Sequence, residues 1–277
     1  LNQGITKILA VVFGQQATGL VAGQLPMWYY EGDAVSAETA FTKFGRGRIP
    51  SFHQGIKTHL LSSTERFSFD KALNGSYKDY VPNHYEYGYQ LTAYARYKYG
   101  HEIWDKVENH VAKNSYTLLP TYFSFYRGLK KYTGLSQKEL YHETMDFLDS
   151  TWSSENQGQA KSSSKMVQSY DINEFENYTT PLYVEQNQYI ALKKGNSHIP
   201  QFVLVSDELE KVIYEPGRLI SEEISFSNNI LVWAEYMPDI RWQNREFAKI
   251  KLLNIRTGVT STLVEKSRYF SPAISND

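Results

Sequence analysis

The chain has 277 residues, 41% of them hydrophobic and 15% aromatic, which is enough apolar material for packed cores and excludes a chain that is disordered throughout. A formal net charge of -1 gives no global field for nucleic acid or an anionic membrane surface. The absence of Cys excludes disulfides and thiol catalysis, no apolar run reaches transmembrane length, and no signal peptide is read in the chain.

Ile5 to Phe13 reads as a short apolar helix stopped by Gly14, and Gln15 to Gln24 as a small-residue link. The next stretch is Leu25-Pro26-Met27-Trp28-Tyr29-Tyr30-Glu31-Gly32-Asp33-Ala34-Val35, running on to Thr39. Pro26 suits the first position of a helix, where its missing N–H costs nothing. Trp28, Glu31, Val35 and Glu38 recur at helical spacing and share one face. A carboxylate on such a stripe is expensive unless it is paired, hydrogen-bonded or metal-bound. Read from the residues alone, Glu31 is expected in the first turns, favouring the helix dipole and meeting an Arg. Gly45-Arg46-Gly47-Arg48 follows; its two Arg could hold a phosphate or a carboxylate, and are expected to pair with nearby Asp or Glu. Phe52 to Leu61 reads as a helix on which His53 and His59 do not share a face, so they are expected as packing histidines, not a metal pair.

Leu73 to His84 is a polar, turn-rich loop leading into a helix that starts at Tyr85-Glu86-Tyr87-Gly88-Tyr89. Further helices are predicted over Ile103 to Lys113, Leu118 to Lys131 and Ser136 to Trp152, the last opened by a capping box of Ser136 and Glu139. Ser153 to Gln168, rich in Ser, Gln and Lys, reads as a linker or a long surface loop. The period then changes to that of strands. Gln188 to Gly195, Phe202 to Val205, Lys211 to Tyr214, Ile230 to Glu235, Ala248 to Ile255 and Val259 to Val264 are predicted strands. The hairpins around Asp207-Glu208 and Thr257-Gly258 recur about fifty residues apart, the period of four-stranded propeller blades.

Pro26-x-Trp28-x-x-Glu31-Gly32-x-Ala34 resembles the second half of the gluzincin metallopeptidase site, the superfamily of aminopeptidase N and thermolysin. The resemblance implies that Glu31 is the third ligand of a catalytic zinc, which takes three protein ligands and keeps one position for water. Tyr85-x-x-Gly88 is similar to the stretch whose Tyr stabilises the oxyanion in aminopeptidase-N-like enzymes, which makes Tyr85 the candidate catalytic residue. The His-Glu-x-x-His helix is missing: His101-Glu102-Ile103-Trp104-Asp105 and His142-Glu143-Thr144-Met145-Asp146 each put Asp where the second His belongs. The expectation is a fragment, with that helix lying before Leu1 and this chain inactive by itself and holding no zinc alone.

The strand-rich part resembles TolB-like propellers of the bacterial envelope, through Ile230-Leu231-Val232-Trp233-Ala234-Glu235, Pro238-Asp239-Ile240-Arg241-Trp242 and Ser271-Pro272-Ala273-Ile274-Ser275. The expected fold class is α+β and multidomain: a helical gluzincin-like domain over 1–152, a linker over 153–170 and a partial β-propeller over 171–277. The implied function is zinc-dependent hydrolysis of peptide bonds, with the propeller binding substrate or an envelope protein partner and a periplasmic or cell-envelope location. The alternative is a catalytically inactive binding or assembly module. No nucleic-acid partner and no transmembrane segment are expected.

Overall fold

Two units with separate cores make up the chain: one of Leu1–Ser76 and Tyr80–Lys161, the other of Tyr77–Asp79 and Ser162–Asp277. The structure is a computed structural model that describes residues 5–63, 65–114, 122–157, 175–206, 209–242 and 244–275. The first unit is helical and the second is built of antiparallel sheets, an α+β chain.

In the helical unit α1 (Ile5–Phe13) and a short α2 (Gly19–Ala22) precede α3 (Met27–Phe41), α4 (Pro50–Ser62) and α5 (Phe69–Asn74). Then come α6 (His84–Tyr99), α7 (Ile103–Lys113), α8 (Phe123–Thr133) and α9 (Gln137–Gln157). Pro26 sits at the N-cap of α3, one residue before the expected place, and its carbonyl accepts from the Tyr29 and Tyr30 N–H groups. Gly14 ends α1 with φ 79, as its position predicts. The capping box of α9 forms: the Glu139 N–H donates to Ser136 Oγ at 3.3 Å, and the Ser136 N–H donates to the Glu139 carboxylate at 2.6 Å.

Aromatic rings dominate this core. Trp28, Tyr29, Trp104 and Phe125 pack together, with Trp104 stacked on Phe125 at 6.2 Å and Tyr29 tilted against Trp104 at 4.7 Å. Their polar tips are served: the Trp104 indole donates to the Thr92 carbonyl at 3.1 Å, and the Tyr29 hydroxyl donates to Glu108 at 2.8 Å. Burial, and then the nearby Glu108 charge, push the Tyr29 phenol far above its ordinary pKa, so it stays a donor.

The β unit holds two four-stranded antiparallel sheets in simple sequential order. The first contains β1 (Glu176–Glu185), β2 (Gln188–Gly195), β3 (Gln201–Ser206) and β4 (Leu209–Tyr214). The second contains β5 (Ser225–Ser227), β6 (Ile230–Pro238), β7 (Glu246–Asn254) and β8 (Thr260–Ser267). On β2, β3 and β6 buried residues occur on both faces, which is why these strands read as apolar runs, while β7 sets Lys249 and Lys251 between its buried residues. On β2, Ile190 and Leu192 join a core shared with Phe202, Leu231, Trp233 and Leu253, while Ala191 packs with Val203 and Val205 on the opposite face. Lys193 is buried on β2 because Glu176 and Glu210 reach its ammonium at 2.6 and 2.8 Å.

Several expectations are corrected. The helix expected from Leu118 begins at Phe123, after a Tyr122 in the left-handed region with φ 66; residues 118–121 lie outside the described part. Helix α9 continues to Gln157, past the expected start of the linker at Ser153, and most of the expected linker lies outside the described residues. Helix α5 occupies the start of the expected 73–84 loop, capped by Ser68 Oγ, which accepts from the Lys71 N–H at 3.3 Å. Strands β1 and β5 were not expected. Among the described residues neither sheet is closed, so two blade-like sheets are present without a ring.

Candidate functional site

Glu31 and Tyr85 lie beside the closest helix contact of the molecule's helical unit. A Cβ built on Gly32 would stand 2.1 Å from the Gly88 carbonyl carbon, and one on Gly88 would stand 2.1 Å from the Trp28 carbonyl oxygen. Helices α3 and α6 therefore touch backbone to backbone, which only glycine permits. One turn further along each helix, Ser36 Oγ and Thr92 Oγ1 meet at 2.8 Å. The contacts step forward together, so both helices present their N-terminal turns on the same side. Glu31 precedes Gly32, and Tyr85 stands one turn before Gly88 on the contacting face.

The stripe on α3 divides as its chemistry requires. Trp28 and Val35 are buried, while Glu31 and Glu38 are half-buried. The Arg expected to meet Glu31 meets Glu38 instead. Arg46 Nε donates to the Glu38 carboxylate at 2.9 Å, and the Arg46 N–H donates to its other oxygen at 3.0 Å. These bonds hold the Glu38 carboxyl below its ordinary pKa. Glu31 is the fifth residue of α3, in its second turn, where the helix dipole acts more weakly than in the first. Arg48 donates one of its five N–H groups to the Thr39 carbonyl at 2.8 Å.

Three tyrosines of α6 now have distinct places. Tyr87 is in the core. Tyr89 packs under the Gly45–Arg48 turn, where a Cβ on Gly47 would meet its hydroxyl at 2.5 Å. Tyr85 is half-buried, with the Arg46 guanidinium over its ring at 5.1 Å and the His84 ring at 4.6 Å. Arg46 thus links the Tyr85 ring to Glu38, two turns from Glu31 on the same face of α3. Asn83 positions the start of α6: its Oδ1 accepts from the Tyr85 and Glu86 N–H groups at 2.9 and 3.2 Å. Burial pushes the Glu86 carboxyl up to about 7.

The histidines pack, as their spacing suggests. His53 is held between the Gln90 amide at 2.7 Å and the Gly47 carbonyl at 2.9 Å, and His59 stacks on Phe67 at 3.9 Å. The two incomplete His-Glu stretches are absorbed by structure. Glu102 occupies the N-cap position of α7 with no side-chain capping bond, and Glu143 accepts from the Tyr94 hydroxyl at 2.8 Å and pairs with Lys98. Among the described residues there is no group of three His, Cys, Asp or Glu that could hold a metal ion. Glu31 by itself does not make up the three-ligand set of a catalytic zinc, so the described residues do not fit that metal unaided.

Sequence reasoning picked out Glu31 and Tyr85 but not the parts that place them: the Gly32–Gly88 contact, the Arg46 bridge and the Asn83 cap. A glycine inside a helical pattern is the signal that could have found the contact, since it costs stability unless packing needs it. Comparison with family models, curated proteins and solved structures gives no match.

Proposed function

We propose that the helical unit is the ligand-glutamate and tyrosine half of a gluzincin-type peptidase site acting on peptides or proteins. The observation that carries the reading is the backbone contact of Gly32 with Gly88, which joins the helix of Glu31 to the helix of Tyr85 beside both residues. Glu31 offers a half-buried carboxylate, and the Tyr85 phenol offers a neutral donor of the kind that suits an oxyanion. Such a site also needs two further ligands and a general base, which this sequence does not supply as a His-Glu-x-x-His helix, so no hydrolytic step is assigned to this chain alone. The two sheets of the β unit are blades of a TolB-like propeller in this reading, with a role in binding substrate or an envelope partner. Their four-stranded sequential order and shared apolar core support it.

The test is made with the protein as it is encoded. Glu31→Ala is expected to lose bound zinc and peptidase activity together. Tyr85→Phe is expected to keep zinc and to lower turnover by about a hundredfold, the scale of a lost oxyanion donor. A full-length protein lacking His-Glu-x-x-His and peptidase activity overturns this reading in favour of the binding or assembly module.

A further inference from the structure

We propose that the turn between β6 and β7 is an interfacial anchor that seats this chain on a negatively charged bilayer surface. The turn runs from Asp239 to Arg245, beyond the last ladder pair of Pro238 with Glu246. Ile240 is fully exposed and Trp242 is 60% exposed, so two large apolar side chains stand clear of every core of the β unit. Neither serves the fold, and both gain on transfer out of water.

Backbone bonds hold the two side chains out. Asp239 Oδ1 accepts from the Arg241 and Trp242 N–H groups at 2.9 and 3.1 Å. The Asp239 N–H donates to the Arg245 carbonyl at 3.2 Å, and the Arg245 N–H donates to the Trp242 carbonyl at 2.9 Å. The turn is therefore shaped before any partner arrives. The same bonds occupy its one carboxylate, whose side chain is only 13% exposed and has Arg245 Nε at 3.9 Å. The Arg241 N–H first, then the Trp242 N–H and the charges of Lys266 and Arg245, hold the Asp239 carboxyl below its ordinary range against its own desolvation. Lys266 reaches this end of the sheet because Ser267 pairs with Ala248, and its ammonium lies 4.1 Å from the centre of the Phe247 ring. Arg268 follows it. Against these four cations stand Asp239, spent on the turn, and the exposed Glu246, while Glu265 further along β8 is held by Lys249 at 3.0 Å. The chain's net charge of -1 gives no global attraction, so the positive character is local. Protein interfaces favour an apolar centre depleted in charge, whereas here Arg241 separates Ile240 from Trp242. A bilayer surface takes a Trp at headgroup level and cations on lipid phosphates, and needs no matching pocket. The inference does not rest on the peptidase reading, because it uses neither Glu31 nor Tyr85.

The whole chain is mixed with vesicles of phosphatidylcholine, either pure or with about a third of phosphatidylglycerol, and binding is read by co-sedimentation. Saturable binding to the anionic vesicles is expected, about tenfold or more tighter than to the neutral ones. Ile240→Ser combined with Trp242→Ser is expected to weaken it about tenfold or more, and Arg241→Gln alone about fivefold, the scale of one cation near an anionic surface. All three side chains are exposed, so folding is not at stake. Trp242 emission, taken as the difference between the chain and Trp242→Phe, is expected to be quenched by lipids brominated near the headgroup. No binding to anionic vesicles, binding that the double variant leaves unchanged, or an unquenched Trp242 overturns the proposal. Soluble polyglutamate that displaces the vesicles and still binds the double variant would make this end of the sheet a dock for an acidic protein chain, and overturns it as well.

Discussion

At the scale of single residues, the start of α6 shows how burial and capping oppose each other. Glu86 occupies the third helical position after Asn83, so its carboxylate can accept from the Asn83 N–H, yet burial outweighs that bond and pushes its pKa up to about 7. In the unfolded chain a Glu titrates near about 4.3. The folded form therefore holds its proton more tightly, and the stability that this brings is complete below the unfolded value and lost as the pH rises through about 7. Glu86→Gln keeps an oxygen that can accept from the Asn83 N–H and removes the titration. It is expected to raise stability at pH 8 by about 1–2 kcal/mol, after allowing for partial solvent screening, and to change it little at pH 4. Urea midpoints at the two pH values check this; an equal gain at both would show that the carboxylate does not titrate against folding. The same turn shows what could be read from the chain alone. Tyr85 was singled out through its motif, but Tyr87 and Tyr89 share its local pattern, and only the packing of Tyr87 in the core and Tyr89 under the Arg46 turn separates the three.

At the scale of elements, the α3–α6 contact sets the register of the candidate site, and two effects of opposite sign meet there. Replacing a helix-interior Gly by Ala gains about 1 kcal/mol of helix propensity. A methyl group on Gly88 would meet the Trp28 carbonyl oxygen at 2.1 Å, and backbone cannot rotate out of its way. Overpacking of this kind costs about 1–3 kcal/mol, and here the upper part of that range applies because both partners are helix backbone. Gly88→Ala is thus expected to destabilise by about 2 kcal/mol net, and Gly32→Ala likewise, with the double variant costing less than the sum because both methyls open the same contact. Denaturant unfolding of the three variants settles the sign; a stabilised Gly88→Ala would mean that the helices are not in backbone contact. Elements with strong periodicity and clear stops were legible. The stretches Ile5–Phe13, Ile103–Lys113 and Gln188–Gly195 have the bounds expected of them. What escaped had weak or contrary local signals. Strand β1 contains Pro181 and a Thr180 with φ 51, and its pairing slips between Thr179 and Leu182. A proline in a run argues against a strand unless a bulge absorbs it, and only the ladder with β2 reveals the bulge. Strand β5 has three residues and α5 six, too few for a period to register.

At the scale of the whole molecule, the separation of the cores makes a thermodynamic statement. The aromatic cluster around Trp104 and Phe125 draws only on the helical unit, while the clusters around Trp233, Ala234 and Val203 draw only on the β unit. Cooperative unfolding follows shared buried contacts, so two such cores are expected to melt as two transitions instead of one. Leu91 and Leu231, both fully buried, report on one core each. Truncating a buried Leu to Ala costs about 2–5 kcal/mol. For units of this size that lowers a melting temperature by roughly 5–15 °C. Leu91→Ala is expected to lower one calorimetric transition by that amount and leave the other within about a degree, and Leu231→Ala to do the reverse. Circular dichroism distinguishes them, because helical signal is lost in the transition that Leu91→Ala moves. A single transition lowered by both variants would show that the helical and sheet units fold as one body, and the candidate site on α3 and α6 would then draw its stability from the sheets as well as from its own helices.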